Sequence, residues 1–204
     1  MKMIPMIVLG TVAVGALAAG GAYFAVTQSV ETPPYSVVQS DGDVELRQYP
    51  EMTLAQVARS GSRSSAVRAG FSPLARYIFA KDRGGEKIAM TAPVVQTPTG
   101  DGAWAVSFIL PTGISANDAP APRGDVTLVT EPERLMATIR FSGVWTDERF
   151  NNAADRLKQW IENEDLSIQG PVEYGYYNDP FTPAFLRRNE VLIPVVRSGS
   201  VAES

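Results

Sequence analysis

The apolar positions of this chain follow three different periods, and each marks a different kind of element. From Ile4 to Val26 they run without a single charged residue. Beyond Tyr35 they alternate with polar positions, as half-buried strands do. Tyr35–Ser40 and Asp43–Tyr49 read as strands joined at Asp41-Gly42, a dipeptide suited to a tight hairpin, and Met52–Ala58 reads as a third. The period then changes: Val67, Phe71, Leu74 and Ile78 recur at i, i+4, i+7 and i+11, one face of a helix. Pro73 falls inside that stripe and predicts a kink, or a restart capped by Ser72. After a loop at Lys81–Gly85, strands are predicted near Lys87–Gln96 and Ala103–Leu110. The next stretch repeats the plan. Strands near Asp125–Thr130 and Arg134–Ser142 lead into a helix capped by Thr146, with Asp147 and Glu148 in its first turn. Phe150, Ala154, Leu157 and Ile161 give its stripe, and strands near Val172–Tyr177 and Leu186–Val196 follow.

The repetition extends to individual residues. Val44–Pro50 lines up with Val126–Pro132, and Ala55–Gly61 with Ala137–Gly143, both at an offset of 82. At an offset of 83, Leu74, Tyr77 and Ile78 match Leu157, Trp160 and Ile161, and Phe108–Pro111 matches Val191–Pro194. Four matches in one order define a duplicated unit, about residues 35–111 and 124–194. The fold class expected is α+β: two ββαββ-type units in a mostly antiparallel sheet, curved into a distorted barrel and flanked by two helices.

The uncharged run at the start is long enough to span the roughly 30 Å hydrocarbon core. Lys2 is the only charged side chain before it, and none follows until Glu31, an asymmetry that keeps the N-terminus in the cytoplasm. Residues 1–26 read as a transmembrane anchor, or else as a signal sequence cleaved at Ala16-Leu17-Ala18; the apolar run continues past that site through Tyr23 and Phe24. Either reading places the rest outside the cytoplasm, on the periplasmic side. Residues 27–34 read as a linker, 35–196 as the folded domain and 197–204 as a flexible tail.

Composition narrows the chemistry. The 204 residues contain neither cysteine nor histidine. Disulfides, thiolate nucleophiles and zinc fingers are excluded, as are Ser-His-Asp triads and imidazole-ligated metals. A formal charge of −4 without a basic block argues against nucleic acid. No catalytic string such as G-x-S-x-G occurs, so no enzyme and no metal site are expected. The charge is uneven: Arg63, Arg68, Arg76, Lys81 and Arg83 face one acid, Asp82, along the first helical stretch, while Asp147–Asp165 carries six acids.

Several strings are distinctive: Lys87-Ile-Ala-Met-Thr-Ala-Pro-Val94, Val106-Ser-Phe-Ile-Leu-Pro111, Phe141-Ser-Gly143, Tyr177-Asn-Asp-Pro-Phe-Thr-Pro183 and Arg187-Arg-Asn-Glu-Val191. On these the chain resembles the SOUL haem-binding protein family over roughly Tyr35–Val196. The resemblance implies a duplicated, distorted barrel with two helices, and tetrapyrrole binding without a defined reaction. It also implies a cleft beside the first helix, with Val67, Phe71, Leu74 and Ile78 as an apolar wall and Arg68 or Arg76 as partners for haem propionates. The family's eponymous member is associated with an axial histidine, which this sequence lacks, so iron coordination would fall to Met90, Met52 or Tyr77.

Other strings have local explanations. Pro93 ends strand pairing, and Asn178-Asp179-Pro180 is turn chemistry. Glu190 enters an otherwise apolar strand. In transcription-effector folds of similar duplicated architecture a buried acid receives cationic ligands, but an ion pair with Arg187 or Arg188 is the simpler expectation here. Three functions stay open: an envelope tetrapyrrole binder, a binding module for another amphiphile, or a structural interaction protein.

Overall fold

The structure, a computed structural model, describes residues 30–198. The expected anchor or signal at 1–26 lies outside the described residues, as do 27–29 of the linker and 199–204 of the tail. Among the described residues no helix is long and apolar enough to cross a membrane.

Ten strands form one antiparallel sheet: β1 (Ser36–Asp41), β2 (Val44–Tyr49), β3 (Met52–Ser60), β4 (Val94–Gly100), β5 (Ala103–Ile109), β6 (Thr127–Glu131), β7 (Arg134–Phe141), β8 (Leu166–Ile168), β9 (Glu173–Tyr176) and β10 (Asn189–Arg197). Helix α1 (Arg63–Ile78) follows β3, and α2 (Asp147–Asn163) follows β7. The spatial order is β1-β2-β7-β10-β9-β4-β5-β3-β6, with β8 paired on β10.

That order carries the duplication. Exchanging β2 with β6, β7 with β3, β10 with β5 and β9 with β4 reverses the list from β2 to β6 onto itself. The pseudo-twofold axis therefore passes between β9 and β4, where Val95 faces Gly175. Registers agree in the outer pairs: Leu46 faces Ala137 as Leu128 faces Ala55, each residue displaced by 82. In the inner pairs Leu54 faces Ile109 and Met136 faces Pro194. β5 and β10 are thus equivalent at a displacement of 85, not at the 83 the sequence match suggested. A two-residue slip leaves every side chain on its original face, so the apolar pattern could not reveal it.

The sheet is open rather than a closed barrel. β1 and β6 end the order at opposite edges, and no ladder joins them; β1 has no counterpart beyond β6 to complete closure. Side chains alternate between two faces along each strand. Ala137, Ile139, Val191 and Ile193 pack beneath α2 with Phe150, Leu157 and Ile161, while Val57, Val106 and Phe108 pack beneath α1 with Leu74, Tyr77 and Ile78. Met136 and Leu192 point to the other face, against Tyr49.

Helix α1 runs through Pro73 without a restart, and its cap is Ser62, not Ser72. Proline removes the N–H that the Ala69 carbonyl would accept; Arg59 Nε supplies a donor instead, at 3.3 Å. The stripe is also displaced. The buried face is Arg63, Ala66, Gly70, Leu74, Tyr77 and Ile78, because Gly70 lets the helix approach β5 so closely that an added Cβ would lie 2.6 Å from Val106 Cβ. α2 matches its expectation, with Thr146 accepting from the Arg149 N–H at 3.3 Å.

Three boundaries move. Lys87–Pro93 is irregular, since Thr91 and Ala92 spend their hydrogen bonds on Ile109 and Glu31. Leu186 belongs to a 3₁₀ turn, Ala184–Leu186, so the last strand starts at Asn189 and continues through Arg197 into the expected tail. β8 is too short to show a period.

Candidate functional site

A cleft of about 450 Å³ opens beside the C-terminal half of α1. Its walls come from four places: Ser72, Pro73, Arg76 and Tyr77 of the helix, Asp82 and Arg83 of the following loop, Arg123–Val126 before β6, and Arg59 of β3. Four arginines thus meet two aspartates. Arg59 donates to Asp125 at 2.6 Å, which holds that carboxyl below its ordinary value. Arg76 is paired with Asp82 through both nitrogens of its fork, which raises the guanidinium further. Arg123 makes no side-chain hydrogen bond or ion pair among the described residues.

Arg83 is the buried member of the set, 8% exposed. Its Nε donates to the Tyr77 carbonyl at 3.0 Å and its Nη1 to the Gly84 carbonyl at 3.1 Å, while Nη2 has no hydrogen-bond partner. The guanidinium lies 5.1 Å from the Tyr77 ring centre. Tyr77 turns its hydroxyl away, donating to the Pro120 carbonyl at 2.8 Å; burial raises that phenol, against the neighbouring Arg83 charge. The cleft can therefore offer apolar surface from Pro73, Tyr77 and Val126, ringed by cations. That combination suits an amphiphilic anion of ligand size.

Of the six residues expected to form the site, Arg76 alone lines this cleft. Leu74 and Ile78 face the sheet and are fully buried core. Val67 packs where the two cores meet. Phe71 is exposed on the helix flank, 5.3 Å edge-to-face from Phe108, and Arg68 is exposed without a partner among the described residues. The physical reason is the displaced stripe: the close approach at Gly70 puts Leu74 and Ile78 into the helix–sheet contact and leaves Phe71 on the exposed flank. Sequence reasoning missed Arg59, and also Arg123 and Asp125, which lie far along the chain from it; Arg83 belonged to the basic run but drew no assignment.

Of the suggested iron ligands, Tyr77 lines the cleft with its hydroxyl turned to Pro120, and the two methionines are committed elsewhere. Met90 packs against the α1 core and Met52 against the clusters of the opposite face. No group of three acidic side chains able to hold a metal occurs among the described residues.

Two buried acids sit away from the cleft. Glu190, fully enclosed, is bound by Arg47 Nη1 and Nη2 at 3.0 and 3.2 Å, by Arg188 Nη2 at 2.7 Å and by the Tyr177 hydroxyl at 2.7 Å. Burial pushes its carboxyl up, but these partners outweigh burial and hold it below the ordinary value. The expected ion pair is thus formed with Arg188 and, unforeseen, with Arg47. Arg187 instead stacks on Trp145 at 4.6 Å. Glu173 pairs with Arg134 at 2.6 Å, yet burial dominates and its carboxyl is raised.

Comparison with known proteins gives these features a context. A family model described as SOUL heme-binding protein matches residues 30–194. Human heme-binding protein 2 is 28% identical over 185 residues, spanning 84% of this chain and 89% of that protein. Among solved structures, the C-terminal domain of EcmrR aligns with a TM-score of 0.59 at 16% identity, over 80% of this chain and 98% of that one. A hydrolase from Listeria innocua aligns with a TM-score of 0.54 at 14% identity, over 78% and 94%. At these identities the two structures speak for the fold alone.

Proposed function

The chain belongs to the SOUL heme-binding protein family, and from that membership we propose that it binds a tetrapyrrole, haem or a related porphyrin, in the arginine-rich cleft beside α1. The observation that carries this reading is the concentration of Arg59, Arg76, Arg83 and Arg123 around an apolar floor, with one buried guanidinium nitrogen of Arg83 left without a partner. Porphyrin carboxylates are the charge such a ring accepts, and Pro73, with the largely buried Tyr77 and Val126 behind it, is the apolar lining that a macrocycle edge meets.

The residues present fit the ring and its carboxylates and offer the iron no free ligand. The chain has no histidine, and the Tyr77 hydroxyl is spent on Pro120. Binding therefore runs through the macrocycle edge, and an iron-free porphyrin binds nearly as well as haem. The role is carriage or buffering rather than catalysis. The Ile4–Val26 run supports a location in the cell envelope, with the domain tethered on the extracytoplasmic side.

The test is a pair of titrations, hemin followed by its Soret band and protoporphyrin IX by its fluorescence. Saturable binding of both is expected, weakened about tenfold by Arg123→Ala or Arg83→Ala, the loss of one charge-assisted contact. Flat titrations overturn the reading and leave a different amphiphilic anion, or a purely structural cleft, in its place.

A further inference from the structure

We propose that the end of the sheet at which the chain enters the domain rests on a lipid bilayer through an apolar tip formed by Val144, Phe181, Phe185 and Leu186. The inference rests on reading Ile4–Val26 as a membrane anchor, and it says which surface faces that membrane.

The tip is built to stay exposed. Phe181 is 89% and Phe185 76% exposed, and Leu186 and Val144 are also open to solvent. The loop that carries them is nevertheless closely held. The Asp179 carboxylate accepts the Phe181 and Thr182 N–H groups at 2.7 and 3.0 Å. Arg187 donates to the Thr182 and Pro180 carbonyls, each at 2.8 Å, while stacking on Trp145. The Gly143 N–H donates to the Ala184 carbonyl at 2.9 Å, which joins the Val144 loop to the other. Polar groups are satisfied inside the loop pair and aromatic rings are left outside. Such contiguous apolar exposure marks an interaction surface.

Its position names the partner. Val94, Tyr176, Asn189 and Phe141 face one another in a single row across β4, β9, β10 and β7. The tip loops leave the sheet just past Tyr176, just before Asn189 and just past Phe141. The incoming chain is gripped beside the same row. Glu31 bridges to Thr91, its carbonyl accepts the Ala92 N–H and its side chain accepts the Thr112 N–H, both at 2.8 Å, and Pro33 is buried. From β4 to β7 is three strand spacings, about 15 Å.

The tether is short. The expected linker of 27–34 loses its second half to this grip, so only residues 27–30 separate the uncharged run from the domain. Five backbone steps from Val26 to Glu31 reach roughly 18 Å at full extension, while a headgroup layer is about 5–8 Å deep. A domain held that closely presents its entry end to the headgroups, and there the aromatic rings can enter the interface.

The chain has no cysteine, so a single introduced thiol gives a clean probe. The full chain, carrying a polarity-sensitive fluorophore at Pro183→Cys between the two phenylalanines, is reconstituted into vesicles of phosphatidylcholine and phosphatidylglycerol. A second variant, Asp101→Cys, labels the β4–β5 turn at the opposite end. The expected result is flotation with the vesicles, a blue-shifted Pro183→Cys label quenched by doxyl lipids, and an aqueous Asp101→Cys label. Adding Phe181→Ser and Phe185→Ser should abolish the lipid quenching without preventing flotation. Flotation with an aqueous label at both positions overturns the docking surface and keeps the anchor. Failure to float overturns the anchor and the docking surface together.

Discussion

Replacing Glu190 by glutamine should be the most damaging single-atom change in the sheet, with a pH signature opposite in sign to that of Glu173→Gln. Glu190 is wholly buried and neutralises two guanidiniums, one of which, Arg47, is itself enclosed. Glutamine keeps the shape but leaves Arg188 without a counter-charge and the enclosed Arg47 with only the part-exposed Glu45, 2.6 Å from its Nε. Breaking a buried pair in this way costs about 3–5 kcal/mol, which in a domain of this size lowers Tm by about 6–20 °C. The pH dependence follows from linkage. Glu190 titrates below its ordinary value in the folded state, so its stabilisation is present above the unfolded carboxylate value and is lost as pH falls through the folded one. The gap between wild type and Glu190→Gln should therefore narrow below about pH 4.5, the unfolded carboxylate range. Glu173 is raised instead, so the folded state takes up its proton first and wild type gains stability as pH falls toward the ordinary value. Its partner Arg134 keeps a second acid, Glu131, at 3.3 Å. Glu173→Gln should accordingly cost only about 1 kcal/mol near neutrality, with a gap that widens on acidification. Urea unfolding followed by tryptophan fluorescence between pH 3.5 and 7.5 measures both. A Glu190→Gln loss under 1 kcal/mol, or a gap independent of pH, would refute the assignment of Glu190 as the charge that binds β2 to β10.

Gly70→Ala should destabilise the fold despite alanine's better helix propensity, because its Cβ meets Val106 at 2.6 Å; overpacking costs about 1–3 kcal/mol. Val106→Gly, which removes the Cβ that alanine would keep, should be damaging alone but recover part of that loss in the double mutant, and additive unfolding energies would contradict the close contact. Ser62→Ala removes the cap of α1 and should cost about 1 kcal/mol, whereas Ser72→Ala should be neutral by the same denaturation assay. Asp82→Asn frees Arg76 in the cleft and should tighten porphyrin binding about two- to fivefold, the worth of an exposed pair. Arg68→Ala should leave the titration unchanged, and weakening there would return the site to the helix face first expected.

The duplication, the two helices and most strands were legible because each rests on a local period. The inner register was not, since a shift of two preserves every face. Nor was the true stripe of α1, where one glycine, whose lack of a side chain gives no hydrophobic signal, sets which face meets β5. The cleft was the least legible part. Arg76 stood out as a helical cation, but Arg59 and Arg123 come from a strand end and a loop, and only the sheet brings them together. Arg187 and Arg188 looked equivalent as partners for Glu190; strand alternation settles the choice, because Arg188 shares a face with Glu190 and Arg187 does not.

The duplication also accounts for why the second half does not repeat the arginine-rich cleft. By the displacements of 82 and 83, the counterparts of Arg59, Arg76 and Arg83 are Phe141, Gln159 and Leu166, so the second half lacks the cations. It lacks the space as well. There the β1–β2 hairpin lies against α2, with Asp41 accepting from Trp160 at 3.1 Å, Asp43 from Arg156 at 3.0 Å, and Gln39 donating to Glu164 at 2.8 Å. On the first half β6 is the edge strand and nothing corresponds to β1. The 119–126 segment stands in its place and touches α1 through Tyr77 and Pro120, the analogue of the Trp160 contact. The missing strand leaves the opening, and Arg59, Arg76, Arg83 and Arg123 give it a charge. A fold with two equivalent helix flanks thus keeps one as structure and exposes the other, and the same absence of a β1 equivalent both leaves the sheet open and provides the ligand-sized space beside α1.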